Sequence, residues 1–591
     1  MSSNYKTKNQ KTKAPVTIET VEKKCKLEYV VVNLICLFVF IAFGYIAIMA
    51  FIQTSVIEQK ATDPKVFSYE HVLFETDIIP LNIVITGLFV MVLFWLRRFY
   101  DFFAKVNITI MEVALALLTV TLGLIWIFSV RSVPAADSKN IFDAATGAAK
   151  DDYTSMIDHV KTDKSNYYGG YSYFQYYPFQ LGFVFICEII YRIFGTESSM
   201  PVQVINVLCV GATYFALARM TKLLFKRKSI EFIAILLLAV CFQPILFCTF
   251  VYGNIIGMCC AVWASLLLIK YFQTEQYRWA AVSGALLVLA TLAKYNNMIY
   301  LAAFVIVLLI HIVKKKKWQS AVIAAALIAA VLGSNALVTG MYKQRSGTDF
   351  ESGVSQVMYL NVGLNESGMA PGWYTPVGKD TYYKEFLVKK YEQNKDVTVS
   401  DANEKSWENI NKRLETFSND SDYTLDFFSK KILSQWNEPA FESIWVSQVK
   451  SHTASEGDKE RLKAANETIS SQQMEGLAKS VYYKSTGQYL YLHFNLYMQI
   501  VYIMFAAGIF LLFVHGKTNI STVLLPLVLL GAFSYHLLFE GKSQYILTYI
   551  PLLVPTAAYA FNAMLCGKYE KLKKIISAIN FIPKKYNESE T

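Results

Sequence analysis

FQLGFVFICEIIYRIFG, residues 179–195, is the apolar stretch whose reading changes every loop after it. It is apolar enough to count as a membrane span, yet it carries Glu188 and Arg192 one helical turn apart. Charges are costly inside hydrocarbon, whereas a helix lying in the interface keeps them wet and buries its other face. Counted as a span, the stretch would invert all that follows and export the basic run Lys226-Arg227-Lys228. Short loops rich in Lys and Arg stay on the cytoplasmic side of a bilayer. The stretch therefore reads as an amphipathic helix on the outer membrane surface.

With that helix set aside, apolar runs of spanning or near-spanning length fall at 28–52, 78–96, 107–129, 202–219, 230–249, 254–271, 278–293, 297–313, 319–339, 493–514, 519–538 and 545–565. The run at 278–293 is short for a hydrocarbon core about 30 Å thick. Lys23, Lys24 and Lys26 place the N-terminus in the cytoplasm. Twelve alternating crossings then put inside Arg97-Arg98, Lys226 to Lys228, Arg278, Lys314 to Lys317 and the tail with Lys571, Lys573 and Lys574. Every dense basic cluster beside a span lands on one side. The expected fold is an all-α polytopic membrane protein of about twelve transmembrane helices.

Composition agrees. Of 591 residues 54% are hydrophobic and 17% charged, more apolar surface than a soluble chain of this length can hide. The net charge of +11 sits in short loops beside spans, so it is a topology signal and not a nucleic-acid stripe. Of nine cysteines none lies between 341 and 490, which excludes a disulfide-stapled domain there. The polar, Lys-rich first 27 residues lead into a run long enough to span, so no cleavable signal peptide is expected. Two large external regions remain, about 130–201 and 341–490, the second long enough for a small mixed domain of roughly 150 residues.

There is no Gly-rich phosphate loop, HExxH or CxxC, and the seven histidines lack metal spacing. The candidates for chemistry are polar groups where the chain leaves the outer face. Asp137, in VRSVPAADSKN directly after the third span, is placed for a carboxylate of tuned basicity; an Asp there is equally a helix N-cap. YSYFQYYPFQLG, 171–182, forms an aromatic shelf for a lipid tail or a sugar face, or an ordinary aromatic belt. Lys294 lies at the outer end of a short helix, where an ammonium either meets an anion or snorkels to water. Arg345 and the pair Lys430-Lys431 are further outer cations. Glu540 is a helix-start charge or a second carboxylate, and Trp373-Tyr374, after Pro371-Gly372, suit sugar stacking or packing.

Asp137 after a span, then Tyr177-Pro178, then an amphipathic stretch ending Arg192-Ile193-Phe194-Gly195 before a span closing in basic residues, resembles the GT-C glycosyltransferases. The likeness is to the bacterial branch related to protein O-mannosyltransferases and the lipid A aminoarabinose transferase. VYGN at 251–254, AKYNN at 293–297, MAPGWY at 369–374, SQWNEP at 434–439 and EGKSQYILTYIPLL at 540–553 resemble recurrent segments of Gram-positive members. The likeness covers roughly 107–565. Residues 1–106 lie outside it, and Gln544 stands where many relatives carry Arg.

The resemblance implies a division of the chain: a cytoplasmic disordered tail at 1–27, two extra helices at 28–106 and a GT-C core at 107–340 with a catalytic loop at 130–201. An external domain at 341–490, three last helices at 491–566 and a cytoplasmic tail at 567–591 complete it. It implies an inverting transfer from a polyprenyl-phosphate sugar to a cell-envelope acceptor (a glycopolymer, glycolipid or protein) at the outer face of a plasma membrane, with Asp137 as general base. Lys294, Arg345, Tyr177 and Pro178 would meet the donor's phosphate and lipid, and Glu540, Trp373, Tyr374 and Asn254 the sugar and acceptor. No nucleic-acid partner is expected, no metal ligand is named, and help from a divalent metal at the leaving phosphate stays open. Alternatives are a polysaccharide polymerase or ligase using an undecaprenyl-diphosphate donor, a lipid flippase or transporter, and a structural scaffold or sensor. The spans between 202 and 339 carry almost no internal charge, which disfavours a transporter.

Overall fold

The computed structural model describes residues 26–566 apart from 61–68, scattered positions within 100–104 and 131–136, 158–171, 351–353, 375–382, 394, 445 and most of 447–484. The tails expected at 1–27 and 567–591 therefore lie outside the described residues, save the first turn of α1. The chain is helical almost throughout. It runs α1 (Lys26–Ile52), a hairpin β1 (Gln53–Lys60) and β2 (Tyr69–Thr76), α2 (Ile79–Leu96), α3 (Ile108–Val130), α4 (Asp137–Ala149), α5 (Leu181–Phe194) and α6 (Met200–Phe225). There follow α7 (Lys228–Ala239), α8 (Asn254–Thr274), α9 (Tyr277–Ala293), α10 (Met298–Lys315), α11 (Gln319–Ser346), α12 (Gln356–Gly363), α13 (Val399–Asn419) and α14 (Ser421–Trp436). The last three are α15 (Thr486–Val514), α16 (Ile520–Leu538) and α17 (Val554–Cys566).

Among the described residues nine helices are long and apolar enough to cross a membrane. A tenth candidate is the pair Lys228–Ala239 and Gln243–Thr249, bent by 43°. Pro244 opens the second half of that pair, where it has no N–H to give to the first. Ile79–Val92 and Tyr277–Ala293 are shorter apolar helices. Each apolar run read from the sequence thus contains a helix, while length and composition together qualify nine, or ten with the bent pair, as candidate spans among the described residues. This is a multi-pass membrane protein. Left-handed residues at Lys226, Glu275, Lys316 and Gly347 stop α6, α8, α10 and α11, and α6, α10 and α11 carry basic residues in their last turn.

Helix α5 has 14 residues, about 21 Å of rise, short of a hydrocarbon core. It starts behind Pro178, which occupies the first position of a short 3₁₀ turn, and stops at Gly195 with φ +92°. Its charged pair is not left in lipid. Glu188 is buried and accepts from Arg192 Nε (3.0 Å), Tyr342 Oη (2.6 Å) and Arg345 Nη1 (3.2 Å). Arg192 also reaches Asp151 at 2.6 Å.

The two helices ahead of residue 107 are not equivalent. α1 is built into the core: Phe43 packs edge-on against Trp436 (5.3 Å) and Phe505 (4.9 Å). α2 is largely exposed and touches the bundle at Phe89–Phe561 (5.4 Å). The hairpin between them adds a β element to the all-α expectation. Its antiparallel register runs from Gln53↔Thr76 to Lys60↔Tyr69, and it clips onto the segment beyond 341 through Ser55 N–H to Asn437 O (3.1 Å) and Val72 N–H to Met369 O (3.0 Å).

Candidate active site

Several helix ends meet at one end of the bundle. α3 ends just ahead of Asp137, the first residue of α4; α8 begins at Asn254; α9 ends just before Lys294; α16 ends just before Glu540. Close backbone contact holds the turns in register. A Cβ on Gly253 would overlap the carbonyl oxygen of Ala293, although its φ of −66° suits any residue, so what glycine supplies there is space. Gly182, at the start of α5, meets the carbonyl of Leu292 in the same way.

Lys294 is the centre of this arrangement. Burial pulls its ammonium down to about 7, against the opposing influence of the carboxylates of Asp137 and Glu540. Both acids read from distant parts of the sequence thus act on one ammonium. Among the described residues that ammonium makes no hydrogen bond or ion pair; it lies over the ring of Tyr252 at 3.9 Å and near that of Tyr545 at 5.5 Å. Tyr545 Oη donates to Glu540 Oε1 at 3.1 Å, and the Glu540 N–H donates to the Tyr359 carbonyl at 2.9 Å. Tyr252 Oη accepts from Gln180 Nε2; burial, then the carboxylate of Asp137, pushes its hydroxyl up.

Orphaned polar atoms face the same space. Asn254 Nδ2 donates to the Gln544 carbonyl (3.3 Å), while its buried Oδ1 has no donor among the described residues. The Tyr359 hydroxyl is likewise buried without a partner among them. Buried polar atoms are nearly always paired, so such gaps mark where a ligand can bond. The aromatic residues pack together, with Tyr173 and Tyr176 buried: Tyr177 lies 5.0 Å from Tyr173 and 4.7 Å from Tyr176, and Phe179 links it to Tyr295 (5.9 Å) and Tyr359 (6.4 Å). Pro178 sets the exit into α5.

The other candidates lie elsewhere. Arg345 is held by Glu188 beneath α5. Trp373 is fully buried, its Nε1 bonded to Ser434 Oγ (2.8 Å) and its ring 5.3 Å from Lys542 Nζ, so it packs and offers no face to a sugar. Tyr374 is half-buried, its carbonyl accepting from Ser367 Oγ at 2.9 Å. Lys430 pairs with Asp426 at 2.7 Å, and Lys431 is buried in bonds to the carbonyls of Gly363 and Phe539. Sequence reasoning missed Tyr252, Gln180, Tyr359 and Tyr545. The first and last stand inside the quoted segments VYGN and EGKSQY, but nothing in the sequence sets them apart from the chain's 38 tyrosines. No group of three His, Cys, Asp or Glu side chains among the described residues is arranged to hold a metal.

The architecture defines a multi-pass membrane protein with a polar, tyrosine-lined site where its helices end. Residues 180–333 match the family described as dolichyl-phosphate-mannose-protein mannosyltransferase, and residues 456–565 match a family of conserved hypothetical integral membrane proteins. The first match runs from α5 into α11 and includes Lys294 and Asn254. Among solved structures, the archaeal oligosaccharyltransferase AglB from Archaeoglobus fulgidus, in complex with an inhibitory peptide and a dolichol-phosphate, is similar at 14% identity with a TM-score of 0.37. That match covers 82% of this chain and 53% of the other, so the chain spans about half the length of that enzyme. No curated protein matches.

Proposed function

We propose that the chain is an inverting glycosyltransferase that moves a sugar from a polyprenyl-phosphate donor to a cell-envelope acceptor. In this reading twelve crossings leave both termini in the cytoplasm and the site outside. The observation that carries it is the convergence of Asp137, Glu540 and an ammonium without a polar partner among the described residues, Lys294, beside an aromatic shelf. Asp137 takes the proton of the acceptor hydroxyl, whose oxygen attacks the anomeric carbon as the bond from that carbon to the phosphate oxygen breaks. A single displacement inverts the centre. Lys294 meets the charge that develops on the departing polyprenyl phosphate. Glu540, fixed by Tyr545, orients the sugar hydroxyls, and the half-buried rings of Tyr177 and Phe179, backed by the buried Tyr173 and Tyr176, meet the isoprenoid. Among the described residues no three His, Cys, Asp or Glu side chains are grouped to hold a metal, and no step is derived through one.

The test is transfer from a panel of radiolabelled polyprenyl-phosphate sugars to membrane acceptors, comparing the full chain with Asp137→Asn. Loss of a general base lowers transfer by about 10²–10⁴-fold. Transfer that persists in the variant removes Asp137 from the mechanism. Absence of transfer from any monophosphate donor, with transfer from a diphosphate one, replaces the donor class.

A further inference from the structure

The turn after α14 carries two consecutive non-glycine residues in the left-handed region, Phe441 at φ +48° and Glu442 at φ +56°. Both are buried. Each such residue costs on the order of 1–3 kcal/mol and persists only where its surroundings enforce it. Here the surroundings are explicit. Glu438, also buried, accepts the N–H of Ala440 (3.0 Å) and of Glu442 (2.8 Å), and Tyr491 Oη lies 3.2 Å from its carboxylate and 3.1 Å from the carbonyl of Ser55 in the hairpin. The strained turn points the Glu442 carboxylate at the start of EGKSQY. Its Oε1 accepts from Ser543 Oγ (3.1 Å) and from the Gln544 N–H (3.3 Å), with Lys542 Nζ at 3.8 Å from Oε2. Gln544 in turn accepts from Asn254, and the next residue, Tyr545, holds Glu540 and flanks Lys294.

We propose that Glu442 is a positioning residue: its carboxylate, presented by the strained 438–442 turn, fixes segment 542–545 so that Tyr545 and Glu540 face Lys294. The inference deepens the proposed function and rests on it for its kinetic consequence only. A carboxylate that bonds one side chain and one backbone N–H of the same segment sets both its position and its direction. The clip from hairpin to Glu438 extends that hold to α1 and α2, giving these two helices a part in shaping the site.

The first readout needs no substrate. Competitive amine labelling of the full chain in detergent, read by mass spectrometry, gives the pH midpoint at which Lys294 reacts. Because the Glu540 carboxylate holds that ammonium up, a displaced segment lowers the midpoint. Glu442→Ala is expected to lower it, and Glu442→Gln, which keeps an acceptor for Ser543 and Gln544, to restore it. Should Glu442→Ala fail to accumulate, Glu442→Asp, which withdraws the carboxylate by one carbon, is read the same way. An unmoved midpoint overturns the proposal. The second readout is a double-mutant cycle on transfer. Glu442→Ala alone lowers transfer about 10²-fold, as misplacement by about 1 Å does, yet costs little more in a Glu540→Gln background. Additive losses mean that Glu442 serves folding alone, and overturn it. A wild-type chain that transfers nothing refutes the glycosyltransferase reading and leaves the labelling result to decide Glu442.

Discussion

Two lysines, one in the 293–297 turn and one in helix α14, have ammonium groups that burial pulls down to about 7. They differ in what they meet. Lys431 donates to the carbonyls of Gly363 and Phe539, so α14, α12 and the end of α16 are tied by one group. Lys294 meets the faces of Tyr252 and Tyr545 and, among the described residues, no acceptor. A buried ammonium with carbonyl partners holds the protein to itself; one facing rings, with two carboxylates acting from a distance, is placed for an anion from outside. The comparison assigns structure to one lysine and chemistry to the other, although burial pulls both ammonium groups down alike.

Its largest test is Lys294→Met. Transfer is expected to fall by about 10²–10³-fold, as when a donor to a developing anion is lost. The thermal midpoint in detergent should hold or rise, since the change removes a desolvated charge of no compensating bond. A fall in both would break the comparison. The pH dependence sharpens it. The ammonium is the active form, so kcat/KM falls as pH rises through about 7, and Lys294→Arg, which stays charged, removes that fall. Stability moves the opposite way. The folded value lies below the ordinary 10.5, so the unfolded chain binds more protons between about 7 and 10.5, and Lys294 favours folding more as pH rises across that window.

Lys431→Met comes next in size and reverses the pattern. It leaves the carbonyls of Gly363 and Phe539 buried without their donor, at about 1–3 kcal/mol each, so the thermal midpoint falls. Transfer per folded molecule falls less than about tenfold, because no group at the reacting centre is removed. A loss of transfer as deep as that of Lys294→Met, without a fall in midpoint, would mean that Lys431 also meets substrate.

Much of this was legible in the sequence, for reasons that also explain the rest. The helical elements follow from apolar length, and the charged pair Glu188–Arg192 sets 179–195 apart from the spans, although the other partners of Glu188, Tyr342 and Arg345, lie more than 150 positions further on. That separation is why Arg345 reads as a phosphate cation until the fold shows it spent on Glu188. Asp137, Lys294 and Glu540 stand out because each follows a span, and helices that share an end bring such residues together. Trp373 and Tyr252 show the limit. An aromatic beside a glycine looks the same in MAPGWY as in VYGN, yet one is sealed against Ser434 and the other faces Lys294. Burial at such turns depends on close approaches like that of Gly253 to Ala293, which no local pattern encodes. The strained turn at 441–442 is invisible for the same reason: it is imposed by Glu438, not chosen by Phe441 or Glu442.

The smallest expected effect separates the two tyrosines that face Lys294. Tyr545→Phe removes the hydroxyl that donates to Glu540 and keeps the ring beside the ammonium. A hydrogen bond to a charged group is worth about 1.5–3 kcal/mol, and solvent or substrate replaces part of it in an open site, so transfer should fall about five- to tenfold. The loss should sit in KM for the donor sugar if Glu540 orients it in the ground state, and in kcat if the contact tightens only as the anomeric bond breaks. Tyr252→Phe keeps the ring closest to Lys294 at 3.9 Å and loses a hydroxyl tied to Gln180 and not to Glu540, so it should cost less still. If Tyr252→Phe instead costs more than Tyr545→Phe, the hydroxyl between Gln180 and Asp137 is part of the proton's path, and the base side of the site extends beyond Asp137 alone.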